Sequence, residues 1–128
     1  MLKIYDANYG GFGQAPKFPQ PAILLQALRR AFGKAQDDRV HQAIDFSLQK
    51  IAMGGIQGHL AGGFYRYSVD DKWMIPHFEK MLYDNGQLLE VFAQAFRLSA
   101  NPLFRKSAEG IVAWLETEMR TESGAFYA

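Results

Sequence analysis

The chain has 128 residues, of which 48% are hydrophobic, a net charge of +1 and no cysteine. That length and apolar content support one ordinary domain with a real core and exclude a disordered chain. The balanced, interspersed charge leaves no electrostatic footprint for nucleic acid. The missing cysteines exclude a disulfide framework, a thiolate metal site and a thiol nucleophile within these residues. No apolar run reaches the ~18 to 20 residues of a membrane span, and the first residues lack the apolar centre of a signal peptide. A soluble cytoplasmic protein is the expectation. Met1 leads straight into a turn-rich stretch, and the last residues read as the start of a further element, so the sequence reads as a fragment of a longer protein.

Residues 6–21, DANYGGFGQAPKFPQP, hold three glycines and three prolines and predict an irregular loop anchored by Phe12 and Phe18. A first helix is predicted from Pro21 to Phe32, where Ile23, Leu24, Ala27, Leu28 and Ala31 recur at helical spacing and Gly33 is the stop signal. A second runs from Asp38 to Met53, capped by Asp37 or Asp38 and ended by Gly54-Gly55. Its stripe is Val40, Ala43, Ile44, Leu48, Ile51 and Ala52, and His41 reads as a solvated first-turn residue. Phe64 to Val69, aromatic and β-branched between glycines and Asp70-Asp71, predicts a short strand or hairpin.

A third helix is predicted from about Pro76 to Ser99, with Pro76 in the first helical position. At about 100° per residue, Phe78, Leu82, Leu88, Leu89, Phe92 and Phe96 share one wide arc. Asn85 falls in the middle of that arc, as a buried amide that needs partners. A fourth helix runs from Pro102 to about Arg120, capped by Asn101, with Phe104, Ala108, Ile111, Val112, Leu115 and Met119 as its stripe. The fold class is therefore all-α: two helical hairpins joined by a long loop that carries a short β element. Gly124–Tyr127 echoes Gly62–Tyr65 about one hairpin later, a weak sign of a repeated unit.

Chemistry concentrates between Gly54 and Asn85. The candidate catalytic residues are His59, Arg66, His77, Glu79 and Asp84, and the candidate ligand-contacting residues are Tyr67, Trp73, Lys80, Tyr83 and Asn85. On the predicted third helix His77 occupies the first turn, where the positive helix end favours a neutral imidazole able to act as a general base. His77, Lys80 and Asp84 fall on one side of that helix, but His77 and Asp84 stand two turns apart, too far to touch directly. Read instead as structure, these three are a surface ion network. The aromatics Phe64, Tyr65, Tyr67 and Trp73 are either a plug over the helix ends or a stacking surface for a sugar. The spacing of two histidines on one helix face that helical zinc sites use is absent, and GGIQGHLAGG lacks the Lys-Ser/Thr of a phosphate loop. Neither a metal nor another cofactor is expected.

GGFGQAPKFPQP at 10–21, GGIQGHLAGGFYRYSVDDKW at 54–73 and PHFEKMLYDNGQL at 76–88 resemble the YyaL and spermatogenesis-associated protein 20 family of thioredoxin-domain-containing proteins. The resemblance spans nearly the whole chain. It implies an (α/α)6 toroid of the six-hairpin glycosidase-like kind, related to the N-acylglucosamine and cellobiose 2-epimerases. It also implies an upstream thioredoxin-like domain and a remainder of the toroid outside this sequence. Gly58, Ala61 and Tyr65 depart from the family pattern, which has Asp, Gly and His there. His59, Arg66, Tyr67, His77, Glu79, Lys80, Tyr83, Asp84 and Asn85 match it. The implied activity is proton transfer on a sugar or polyol; the alternative is a non-catalytic binding or scaffold module beside a redox domain. A partial toroid exposes apolar faces, so self-association is expected.

Overall fold

A computed structural model describes residues 4–32, 38–58, 62–77 and 79–119. Four helices account for the regular structure: α1 (Pro21–Phe32), α2 (Asp38–Met53), α3 (Leu82–Ser99) and α4 (Pro102–Trp114), which continues as a π-helical turn, Leu115–Met119. The Gly33 stop, the Asp37 cap, Phe78, the helix end at Arg120 and the Gly124–Tyr127 echo lie outside the described residues.

Helices α1 and α2 form one antiparallel hairpin and α3 and α4 a second; α1 also packs on α3 and α2 on α4. The stripes of α1 and α2 are the faces that meet, while on α4 Val112 is 43% exposed and on α3 the buried face takes in Val91 and Ala95 beside Leu88 and Phe92. Leu24, Ala27 and Leu28 of α1 and Ile44, Leu48 and Ile51 of α2 are buried with Leu88, Val91 and Phe92 of α3 and Phe104 and Ile111 of α4. Asn101 caps α4 through its side chain, which accepts from the Leu103 N–H, with Pro102 in the first turn. The connection between α3 and α4 turns at Ala100, whose φ of 58° is left-handed and whose N–H closes on the Phe96 carbonyl.

The third helix begins at Leu82, six residues later than Pro76 predicts. The backbone of the intervening segment is engaged elsewhere. The His77 N–H donates to the Tyr67 carbonyl at 3.0 Å, the Arg66 N–H to Glu79 at 2.7 Å and the Val69 N–H to Ile75 at 2.7 Å. These groups pair with an extended neighbour, so they cannot make the bonds of a first helical turn. The placement of His77 on a helix end is therefore corrected, and with it the helix-dipole argument for a neutral imidazole.

Among the described residues 64–69 form no continuous strand, only isolated antiparallel bridges: Gln57 with Phe64, and Ser68 with both Lys17 and Pro76. Asn85 explains why Phe64 can do without a neighbouring strand. Its side-chain oxygen accepts from the Phe64 N–H at 2.7 Å and its amide nitrogen donates to the Phe64 carbonyl at 2.9 Å. One side-chain amide from α3 thus pairs both backbone groups of Phe64, as a strand residue would.

Two contacts hold the central loop down. Gly62 has φ +80° and packs so closely on α4 that a Cβ there would lie 2.2 Å from the Gly110 carbonyl oxygen. Trp73 is fully buried with a left-handed φ of 64°, and its indole N–H donates to the Gly10 carbonyl at 3.1 Å. Burial of the indole offsets a backbone cost of roughly 1–2 kcal/mol.

Candidate functional site

The backbone pairing of Arg66, Tyr67 and Val69 with Glu79, His77 and Ile75 brings four of the expected site residues to one face. Arg66 and Glu79 are joined through their backbones, and their side chains stand 3.9 Å apart, Nη1 to Oε1. Arg66 Nε lies 3.9 Å from Oδ2 of Asp84, in the first turn of α3. His77 Nδ1 lies 3.7 Å from Oε2 of Glu79. These distances are ion-pair contacts rather than hydrogen bonds. With Arg66 47% and Glu79 39% exposed, their pairing contributes little to stability. The cluster is a polar surface held by backbone bonds, not by its own charges.

The imidazole is fixed by stacking. Its ring lies 4.6 Å from that of Tyr67, nearly parallel at 13°, and Tyr67 stands 4.6 Å from Phe18 on the N-terminal loop. The Nδ1 atom of His77 is buried and, among the described residues, without a hydrogen-bond partner, although the side chain as a whole is 44% exposed. One edge of the ring thus faces protein and the other is open. At Asp84, burial pushes the carboxyl pKa up; Arg66 opposes this and Glu79 adds to it. The net rise shows that desolvation outweighs the guanidinium at 3.9 Å.

The other expected residues separate from this cluster. Tyr83 is 72% exposed, and its hydroxyl accepts from Gln87 Nε2 at 3.3 Å. Lys80 Nζ donates to the Gly62 carbonyl at 2.8 Å and sits over the rings of Tyr65, at 4.9 Å, and Trp114, at 5.9 Å. Gly58 and Tyr65 meet at this ammonium group. A Cβ on Gly58 would lie 2.4 Å from Lys80 Nζ, and Tyr65 supplies the aromatic face beside it. His59 and Ala61 lie outside the described residues.

Two expected contact residues are corrected. Trp73 and Asn85 are both 0% exposed and cannot meet a ligand at the surface. Trp73 is the buried wedge between the N-terminal loop and the end of α2, and Asn85 binds the Phe64 backbone. Lys17 was not foreseen. It is fully buried, with Nζ 2.6 Å from Asp6 Oδ2, 3.0 Å from the Asp71 carbonyl and 5.2 Å from the centre of a Trp73 ring. Nothing in the PKFP string distinguishes a buried lysine from a solvated one.

A cavity of about 770 Å³ opens elsewhere, on the N-terminal loop, lined by Tyr5, Asp6, Asn8, Tyr9, Gln14 and Asp71 among others. It contains none of the expected site residues. Asp6, one of its two carboxylates, is already occupied by Lys17 and by the N–H groups of Asn8 and Tyr9.

No family model matches the chain. Spermatogenesis-associated protein 20 of Rattus norvegicus is 45% identical over 127 residues, covering 97% of this chain and 16% of the relative. The Homo sapiens protein of that name is 43% identical over the same 97% of this chain, again 16% of its own length. The resemblance to spermatogenesis-associated protein 20 holds along nearly the whole chain. The chain thus spans about one sixth of these relatives' length. An uncharacterised Caenorhabditis elegans protein, B0495.5, is 41% identical over 98 residues, covering 74% of this chain and 13% of its own.

Solved structures give the fold. The cellobiose 2-epimerase of Spirochaeta thermophila superposes with a TM-score of 0.81 at 20% identity, over 98% of this chain and 34% of its own. That of Bacillus thermoamylovorans gives 0.80 at 17%, over 98% of this chain and 35% of its own. The chain is all-α, two helical hairpins of the (α/α)6 toroid that these epimerases share. Among the described residues no helix is long and apolar enough to cross a membrane.

Proposed function

We propose that this segment supplies one wall of a site that moves a proton on a sugar or polyol. The observation that carries the reading is the juxtaposition of His77 with Arg66. An imidazole fixed by Tyr67, with one edge open and Glu79 at its buried nitrogen, shares a surface with a guanidinium that is half exposed. In this reading His77 removes the proton from the carbon beside the carbonyl of a reducing sugar. The electron pair moves into an enediolate whose oxygen Arg66 stabilises. Glu79 stabilises the imidazolium that forms, and Asp84 is a carboxyl able to return a proton. The superposition on sugar 2-epimerases supports the substrate class by analogy of fold.

The test is deuterium exchange. The full-length protein is incubated with reducing sugars in heavy water, and incorporation next to the carbonyl is read by NMR. Exchange that disappears in His77→Ala is the expected result. Exchange that persists unchanged in that variant would remove His77 from the role of base. No exchange with any sugar favours a second reading, a binding or scaffold module accompanying a thioredoxin-like domain. The complete burial of Trp73 and Asn85 supports that reading, since these two matched residues serve the fold.

A further inference from the structure

Phe18 stands apart from the other phenylalanines. Among the described residues it is the exposed one, at 38%, while Phe12, Phe64, Phe92 and Phe104 are at most 1% exposed. Its exposure is not a matter of loose chain. Its neighbours Lys17 and Pro19 are both buried. The backbone of Lys17 exchanges two hydrogen bonds with Ser68, at 2.6 and 2.8 Å. Just beyond, Gln20 Nε2 donates to the Phe12 carbonyl at 3.0 Å. A large apolar ring is therefore held at the surface by a backbone fixed on both sides, where a mobile loop would let it fold inward.

The ring also has a direction. It ends the column Phe18–Tyr67–His77, and the Arg66 guanidinium lies over the ring, 5.9 Å from its centre. Flat apolar surface beside a hydrogen-bond donor suits a ligand with one C–H face and a rim of hydroxyls, which is the character of a pyranose. The local charge narrows the class further. One guanidinium stands against the two carboxylates of Glu79 and Asp84, so no positive surplus is left for a sugar phosphate or a uronate.

We infer that Phe18 is the stacking floor of a saccharide subsite, taking a neutral sugar ring whose hydroxyls reach Arg66. Tyr67 separates Phe18 from His77, with successive ring centres 4.6 Å apart. The ring over Phe18 is therefore a different unit from the one whose proton His77 moves, and the favoured ligand has at least two sugar units. The inference rests on the proton-transfer reading of the same surface.

Binding separates the two. Cellobiose, glucose and glucuronate are titrated into the full-length protein by saturation-transfer NMR. Phe18→Ala and Phe18→Leu are expected to weaken cellobiose about tenfold, while Phe18→Trp holds it within about threefold. Native affinity in both Phe18→Ala and Phe18→Leu overturns the subsite and leaves the proton-transfer reading standing. No binding of cellobiose or glucose by the native protein overturns both. Glucuronate binding more tightly than glucose overturns the assignment to a neutral sugar.

Discussion

Replacing Asn85 should cost this domain much of its stability, for a reason that two variants and one pH change can isolate. The amide is completely buried. Its oxygen accepts the Phe64 N–H at 2.7 Å, and its nitrogen donates to the carbonyls of Phe64 and Met81, each at 2.9 Å. The orientation of the amide is unambiguous, since a backbone N–H only donates and a carbonyl only accepts. The Met81 carbonyl keeps a second partner, the Asn85 N–H at 3.0 Å, but among the described residues the two Phe64 groups have Asn85 alone. Asn85→Ala strands both in the interior. At about 1–3 kcal/mol for each buried unpaired group, the loss is about 2–6 kcal/mol, a large part of the ~5–15 kcal/mol that holds a domain together. Asn85→Asp tests the chemistry rather than the space. At neutral pH it places a carboxylate oxygen against two carbonyls, so it should destabilise at least as much as alanine. Burial and those carbonyls raise the carboxyl's native pKa, so the penalty is present above that value and recedes as the pH falls through it. Urea unfolding at pH 7 and pH 5 reads both effects. A loss under 1 kcal/mol for Asn85→Ala, or an Asn85→Asp penalty that ignores pH, would refute the reasoning.

Lys17 gives an independent test. Lys17→Met should cost about 3–5 kcal/mol by leaving the Asp6 charge without its partner, and Asp6→Asn in the same chain should restore part of the loss. Burial works against the Asp6 charge, but the bonds from Lys17 and from the Tyr9 and Asn8 N–H groups outweigh it and hold its pKa below the ordinary carboxylate value. That contribution is present above a pH of about 4 and is lost as the pH falls through the lowered native value; in Lys17→Met the acid-sensitive part of the unfolding curve should shrink. Asp84 has the opposite sign: its raised pKa makes native stability decline as the pH rises from the ordinary carboxylate value through the native one. Asp84→Asn should therefore raise the melting temperature at pH 7 and do nothing below about pH 4; a lower melting temperature at pH 7 would mean that the Arg66 pair outweighs burial. Produced alone, the 128-residue segment is expected to self-associate through exposed apolar side chains such as Met53, Val69, Met74 and Ile75, and a clean monomer in light scattering would contradict that.

The helices α1, α2 and α4 were legible because each carries its own instructions. Pro21 and Pro102 fit first turns, Asn101 caps, and the apolar residues recur every three to four positions whatever the rest of the chain does. The all-α class and the location of the polar surface between Gly54 and Asn85 came from the sequence for the same reason. Local signals were insufficient where a segment had two possible partners. Pro76 is as good a helix start as Pro102, yet the N–H groups of Arg66, Val69 and His77 pair across an extended segment, and that competition is decided between residues distant in space. The sequence also placed an amide inside the apolar arc of α3 without saying what it binds; only packing delivers the Phe64 backbone to Asn85. Lys17 looks like a surface residue in a loop, and Trp73 reads as either a plug over the helix ends or a stacking surface; both are buried because the N-terminal loop folds back over them. Arg66, His77, Glu79 and Asp84 were named from their chemistry, but their meeting on one face depends on backbone pairing, and a linear pattern holds no information about which carbonyl a given N–H will reach.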